Sequence, residues 1–268
     1  METLKSWGRY LTRNKRYGTP KFIAEMAIWE FYDFSKITRV ELNENFITTG
    51  HAWGKTHPKD PFSYWAPKNV SLHRSFMNPG GQYLSLIADF RRAKIDDWQN
   101  DTVSPIRVGM VETKEKYLYG YFEVECMLPR GENCFPSFWL WGQTKGKYQE
   151  IDVLEANSMK GEYGMCFKNV KLQSNVHIGT EFDRRKVIGG KNHPLPVDVS
   201  KTFNKYGVLW TEDKIEFYYN RHMVRRVGKN IASQFTNAMP VIINNGTRPS
   251  TRHSFYNELI VSSLLILK

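Results

Sequence analysis

From Leu42 onward the chain breaks into short runs in which apolar and polar residues alternate, with turn residues between them. In "YLYGYFEVECMLP", Phe122, Val124, Cys126 and Leu128 fall on one face and Tyr121, Glu123, Glu125 and Met127 on the other. A period of two is that of a half-buried strand; a helix would repeat every 3.6 residues or so. "NVSLHRSF" and "QYLSLIADF" read as a hairpin about the turn "MNPGG". "FPSFWLWG", "YQEIDVLEA", "SNVHIG", "YGVLWTED", "KIEFYYNRHMVRRV", "MPVIINNG" and "ELIVSSLLILK" read as further strands, with turns at "TEDK" and "YNRH". Helical patterning is confined to "TPKFIAEMAIWEF" and one turn at "NIASQF". Many short strands, no internal repeat and no low-complexity linker predict one all-β sandwich or jelly roll.

At 268 residues, 41% hydrophobic and 14% aromatic, the chain is long and apolar enough for one large β domain and too apolar for disorder. No apolar run reaches the roughly 20 residues of a membrane span. The net charge of +11 favours anionic company. Part of it lies near the start, where Lys5, Arg9, Arg13, Lys15, Arg16 and Lys21 face only Glu2. Residues 1–40 are therefore read as a basic N-terminal extension packed on or leading into the domain, and 41–268 as the domain itself. Cys126, Cys134 and Cys166 are too scattered for a disulfide framework or a zinc site, and at most one disulfide can form. No clean signal-peptide core is visible.

Against this background "YQEIDVLEAN" stands out, with Glu150, Asp152 and Glu155 inside six residues. Strict alternation puts Glu150 and Asp152 on one face but Glu155 with Ile151 and Val153 in the packed layer. An unpaired Glu buried there costs several kcal/mol. One extra residue removes the conflict, so the spacing predicts a β-bulge near Val153–Leu154 that returns Glu155 to the face of the other two. Two glutamates leaning together across Asp152 would sit about 5–6 Å apart, the spacing of a retaining glycosidase. Repulsion from Asp152 would help keep a neighbour protonated near neutral pH.

"EIDVLE" resembles the catalytic signature of glycoside hydrolase family 16 in its bulged form. "MVETKEKYLYGYFEVECMLPRG", "FPSFWLWG", "FNKYGVLWTEDKIEFYYNRHMVRRV" and "MPVIINNG" resemble the family's strands around it, from roughly Leu42 to Lys268. The resemblance implies a β-jelly-roll of two curved antiparallel sheets with a concave substrate cleft. It implies Glu150 as nucleophile, Asp152 as assisting acid and Glu155 as general acid/base, and a secreted, periplasmic or cell-surface protein. Trp139 and Trp141 share a strand face and, with Trp65, offer flat platforms for sugar rings. His177 stands where the family carries a histidine, and Asn175 shares its face. No second ligand stands near His177 at metal spacing, so no metal is assigned. The family's structural calcium is not supported either, since "NELIVSSLLILK" lacks the Asp it would want.

The Trp-Pro-Ala and Gly that often precede the motif in laminarin-cutting members are absent before "QEIDVLEA". That absence and the charge lean toward red-algal galactans: porphyran, agar or carrageenan. Arg74, Arg107, Arg184 and Arg185 are the candidates for sulfate, which Arg grips by charge-assisted hydrogen bonds. An endo-β-1,3(4)-glucanase is the alternative, and a non-catalytic carbohydrate-binding protein the second. Nucleic acid is not an expected partner, because three clustered acids repel phosphate. A monomer acting on polysaccharide is expected.

Overall fold

The computed structural model describes residues 20–51, 54–57, 60–74, 81–95, 102–130, 134–144, 146–158, 170–189, 191–193, 195, 197–247 and 256–268. In chain order the elements begin with α1 (Lys21–Glu25), β1 (Ile28–Asp33), α2 (Arg39–Asn45) and β2 (Phe46–Ile47). Next come β3 (Thr56–His57), β4 (Asp60–Trp65), β5 (Val70–Arg74), β6 (Gln82–Ile95), β7 (Thr102–Val108) and β8 (Met110–Thr113). The centre of the chain supplies β9 (Gly120–Met127), β10 (Cys134–Thr144), β11 (Lys147–Ser158) and β12 (Val170–Gly179). Then follow β13 (Arg185–Val187), β14 (Lys191–Asn192), β15 (Asn204–Trp210), β16 (Ile215–Tyr219) and β17 (His222–Val227). The chain finishes with α3 (Lys229–Ala232), β18 (Val241–Thr247) and β19 (Tyr256–Leu267).

Among the described residues the strands form two sheets, one of eleven and one of eight. The larger runs β17-β16-β15-β9-β19-β6-β7-β4-β3, with β1 on β19 and β5 on β6. The smaller runs β13-β12-β11-β10-β18-β8-β2, with β14 on β12. Pairing is antiparallel except between β4 and β7. The core lies between the sheets. Phe122, Val124 and Cys126 of β9 meet Phe138 and Leu140 of β10, Ile151 of β11, Val176 of β12 and Ile243 of β18. The alternation in "YFEVEC" thus becomes one row facing the core and one facing away from it, and this is the sandwich expected. The predicted hairpin forms, with Val70 opposite Leu86 and Leu72 opposite Leu84; its turn lies outside the described residues.

The helix expected over "TPKFIAEMAIWEF" is a correction. Only Lys21–Glu25 is helical; Ile28–Asp33 is a strand paired with β19, the last one. Trp29, Phe31 and Tyr32 suit a pleated surface, and tertiary pairing overrides the weak helical period. Phe34, just beyond, is fully buried. The described part of residues 1–40 thus contributes a strand to the larger sheet. Phe22 of α1 lies edge-on to Tyr121 and Tyr218 at 5.5 and 5.6 Å and covers the outward row of the larger sheet. Cys126 is a buried free thiol, and Cys134 is buried with its Sγ accepting from Asn257 Nδ2 at 3.1 Å; Cys166 lies outside the described residues.

Candidate active site

The site is built on the outer face of the smaller sheet, turned away from the core. Along β11 the register against β10 sets Trp141 opposite Glu150, Trp139 opposite Asp152, and Ser137 opposite Glu155. Successive β10 partners are two positions apart, whereas Asp152 and Glu155 are three apart. The extra residue is the predicted bulge, and the β12 register jumps at the same place. Cross-strand partners point to one side, so all three acids share the outer face while Ile151, Val153 and Leu154 are buried.

A bulge leaves a backbone carbonyl out of the ladder, and buried carbonyls must find a donor. The Tyr219 hydroxyl, reaching from β16 in the other sheet, lies 3.2 Å from both the Val153 and the Gln173 carbonyl oxygens. Sequence reasoning had no access to this support, because the partners are 66 and 46 residues apart.

The acids are held by neutral donors. Tyr148 shares the parity of Glu150 and donates its hydroxyl to Glu150 Oε2. Asn175 Nδ2 donates to Glu155 Oε2. His177 Nε2 lies 2.8 Å from Asp152 Oδ2 and 3.4 Å from Glu150 Oε1. Arg185 Nε donates to His177 Nδ1 at 3.2 Å. A guanidinium cannot accept, so Nδ1 carries the lone pair and Nε2 the proton. Burial also lowers the His177 pKa. The ring is thus a neutral donor aimed at Asp152.

Burial pushes Glu150 up to about 8, and the Asp152 charge is the second cause. Asp152 is likewise raised well above its usual value, by burial first and then by Glu155. Repulsion, the cause expected from sequence, is therefore real but second to desolvation.

Glu150, Asp152 and His177 offer atoms within 4.8 Å of one another, a spacing that could suit a metal. The donor set does not, because His177 Nε2 carries its proton and the Arg185 cation stands behind the ring.

The other expected residues divide. Trp139 and Trp141 lie on the acid face, Trp139 with its indole N–H donated to Asn244 Oδ1 at 2.8 Å and Trp141 edge-on to Tyr148 at 6.3 Å. Trp65 reaches the same side through His51, whose ring is edge-on to both Trp65 and Trp139 at 4.9 and 5.7 Å. Asn175 and His177 are in the site. Among the arginines, Arg107 is closed onto Asp89 by Nε at 2.9 Å and by Nη2. Arg184 is exposed in the turn before β13. Arg185 reaches the acids through His177, with its guanidinium 3.7 Å from the Phe182 ring centre. The side chain of Arg74 lies outside the described residues.

Gly179 makes the Arg185 approach possible. A Cβ there would lie 2.4 Å from the Arg184 carbonyl oxygen and 2.6 Å from the Arg185 Cα. Tyr148 was legible from parity alone. Arg225 was not: from β17 its Nη1 donates to the Ser174 carbonyl at 2.6 Å, and its charge opposes the rise at Asp152.

The laminarinase catalytic domain from Thermotoga maritima superposes with a TM-score of 0.66 at 17% identity, over 91% of this chain and 98% of that one. The κ-carrageenase from Pseudoalteromonas carrageenovora gives 0.64 at 16%, over 88% and 92%. At such identity both are likenesses of fold. A glucan endo-1,3-beta-glucosidase from Cryptopygus antarcticus is 24% identical over 131 residues, 46% of this chain and 46% of that protein. The chain matches less than half the length of its curated relatives. The model of glycosyl hydrolases family 16 matches residues 88–254, which span both the acid strand and its neighbours. The chain belongs to glycosyl hydrolases family 16.

Proposed function

We propose that the protein is an endo-acting, retaining glycoside hydrolase that cleaves β-linked glucan chains laid across the outer face of the smaller sheet. The observation that carries this reading is the bulge, which brings Glu155 to the face of Glu150 and Asp152. Glu150 attacks the anomeric carbon while Glu155 gives its proton to the departing glycosidic oxygen. Glu155 then takes a proton from water, whose oxygen displaces Glu150 from the anomeric carbon. Asp152, two residues along the same face and donated to by His177, raises Glu150 by its charge and is placed to take up the proton that Glu150 gives up before it attacks. Asn175 aims Glu155. Trp139 and Trp141 give the sugars flat apolar surfaces. A polysaccharide substrate too large to enter a cell places the work of the protein outside it.

A neutral glucan is preferred to a sulfated galactan because two of the candidate arginines, Arg107 and Arg185, are committed. Arg107 is paired with Asp89, and Arg185 is spent on His177 and the Phe182 carbonyl. The 1,3-glucan names of the curated relatives support the same choice. The second reading, a sulfated galactan, is favoured by the charge of +11 and the fold likeness to the κ-carrageenase.

Release of reducing ends from laminarin, lichenan, agarose, porphyran and κ-carrageenan at two ionic strengths separates the readings. Laminarin or lichenan should be cut best and with little dependence on salt. Preference for a sulfated polymer, with affinity weakening as salt rises, would establish the second reading instead. NMR of the first products should show retained β-configuration; an α-anomer would mean inversion and displace Glu150 from its role.

A further inference from the structure

Beyond the acids, the cleft floor ends in a group that the hydrolytic step leaves unused. Glu112 on β8 is in register with Ile242 on β18, Ile242 with Trp139 on β10, and Trp139 with Asp152 on β11. Residues in register across antiparallel strands point to one side. Glu112 and Asp152 therefore share the open face, three inter-strand steps or about 14 Å apart. One sugar ring cannot bridge that distance, whereas an oligosaccharide lying across the strands reaches both ends.

Glu112 is held in place from below. His51, 3% exposed, lies with Nδ1 2.6 Å from Glu112 Oε2. Its ring is wedged edge-on between Trp65 and Trp139. Burial lowers the His51 pKa, so the ring stays neutral and Nδ1–H donates. One carboxylate oxygen is thereby fixed. The other, Oε1, has no partner among the described residues, and 12% of the side chain is exposed. A mere strut for the two indoles would need one acceptor atom, and a neutral one would serve. A carboxylate with a spare oxygen, held by a histidine whose ring packs against two indoles, is an arrangement that can grip a sugar, a hydroxyl on the acid and a C–H face on an indole.

We propose that Glu112, oriented by His51, whose ring packs against Trp65 and Trp139, forms a distal subsite for an uncharged sugar residue of the polysaccharide. The inference rests on the glucan-hydrolase reading above and adds the sugar class at the far end. Oε1 accepts a hydroxyl hydrogen, and a sulfate ester at that position would meet like charge.

The test is the dependence of kcat/KM on chain length, using laminari-oligosaccharides from trimer to heptamer. In the wild type kcat/KM should climb as the chain becomes long enough to reach Glu112. In Glu112→Ala the ratio between longest and shortest substrate should fall about tenfold or more, the scale of a charged hydrogen bond. Should that variant fail to fold, Glu112→Gln decides, because it keeps the volume and an acceptor for His51. A wild-type ratio in the folded variants overturns the proposal, and so does a ladder of sulfated oligosaccharides that gains more from length than the neutral one. If the wild type cuts no ladder, the functional reading fails separately. The subsite is then read by calorimetric titration of laminarihexaose into wild type and Glu112→Gln. Weaker binding in the variant supports it; equal binding, or none in the wild type, overturns it.

Discussion

Strands β9 and β11 both carry acids on the side turned from the core, and the two sets are treated in opposite ways. Glu123 on β9, 4% exposed, accepts from Arg221 Nε at 3.0 Å and Nη2 at 2.8 Å and from the Tyr121 hydroxyl at 2.7 Å. Asp152 on β11, 3% exposed, accepts from the neutral His177, while Tyr148 and Asn175 serve its neighbours. Burial is nearly the same; the partner's charge differs. A cation beside a buried carboxyl compensates its lost hydration and ties two strands together. Neutral donors aim the carboxyl without fixing its protonation, so burial and a neighbouring acid can push Glu150 up to about 8. Acids of the first kind contribute to the fold, and acids of the second kind keep a titration near the working range.

The largest expected effect is on turnover. Glu150→Gln should lower kcat by roughly a thousandfold or more, while Glu123→Gln, measured well below its melting temperature, should stay within a few-fold of wild type. Substrate binding by Glu150→Gln, followed by calorimetry, should persist because the shape is kept. Equal losses in the two variants would erase the distinction drawn between the strands.

Next comes the arginine behind His177. Gly179→Ala places a methyl group against the 184–185 backbone and should displace Arg185, lowering kcat/KM by about ten- to a hundredfold. Thermal unfolding and a pH profile taken together separate misplacement from simple loss of fold.

The pH dependence sharpens the contrast. The nucleophile must be ionised, so kcat/KM should rise with pH as Glu150 loses its proton, levelling above about 8. Asp152→Asn removes one cause of the rise and should move that limb to lower pH. The stability sign runs the other way. A folded pKa above the unfolded one means a contribution present below the unfolded value and lost as pH climbs through the folded one. Unfolding free energy should therefore fall between about pH 4.5 and 8, and Glu150→Gln should be the more stable protein above pH 8. Denaturant titrations at pH 4.5 and 8.5 would show the crossover; parallel curves would speak against a protonated Glu150.

On stability alone, Glu123→Gln should cost about 1–3 kcal/mol by weakening its hold on Arg221. Tyr219→Phe should cost about 1 kcal/mol through the bulge carbonyl. It should also lower activity, since that bulge sets the face of Glu155, and hydrogen exchange at Leu154 and Glu155 would report the loosening.

By itself the sequence determined the strands, the sandwich, the acid face and the bulge. All of these are consequences of period-two alternation, which a local window contains, and of the cost of burying an unpaired Glu. Parity likewise put Trp139, Trp141 and Asn175 where the structure has them. The strand at Ile28–Asp33 was hidden, because its partner is the far end of the chain and its own pattern mimics a short helix. Only the tertiary structure could show that Arg107 is closed on Asp89, that Arg185 selects the tautomer of His177, that Tyr219 caps the bulge from the opposite sheet, and that His51 holds Glu112. A side chain's charge is readable from its letter. Whether that charge is neutralised, shared or left to titrate depends on burial and on partners from other strands, often dozens of residues away, and these are settled only when the sheets pack.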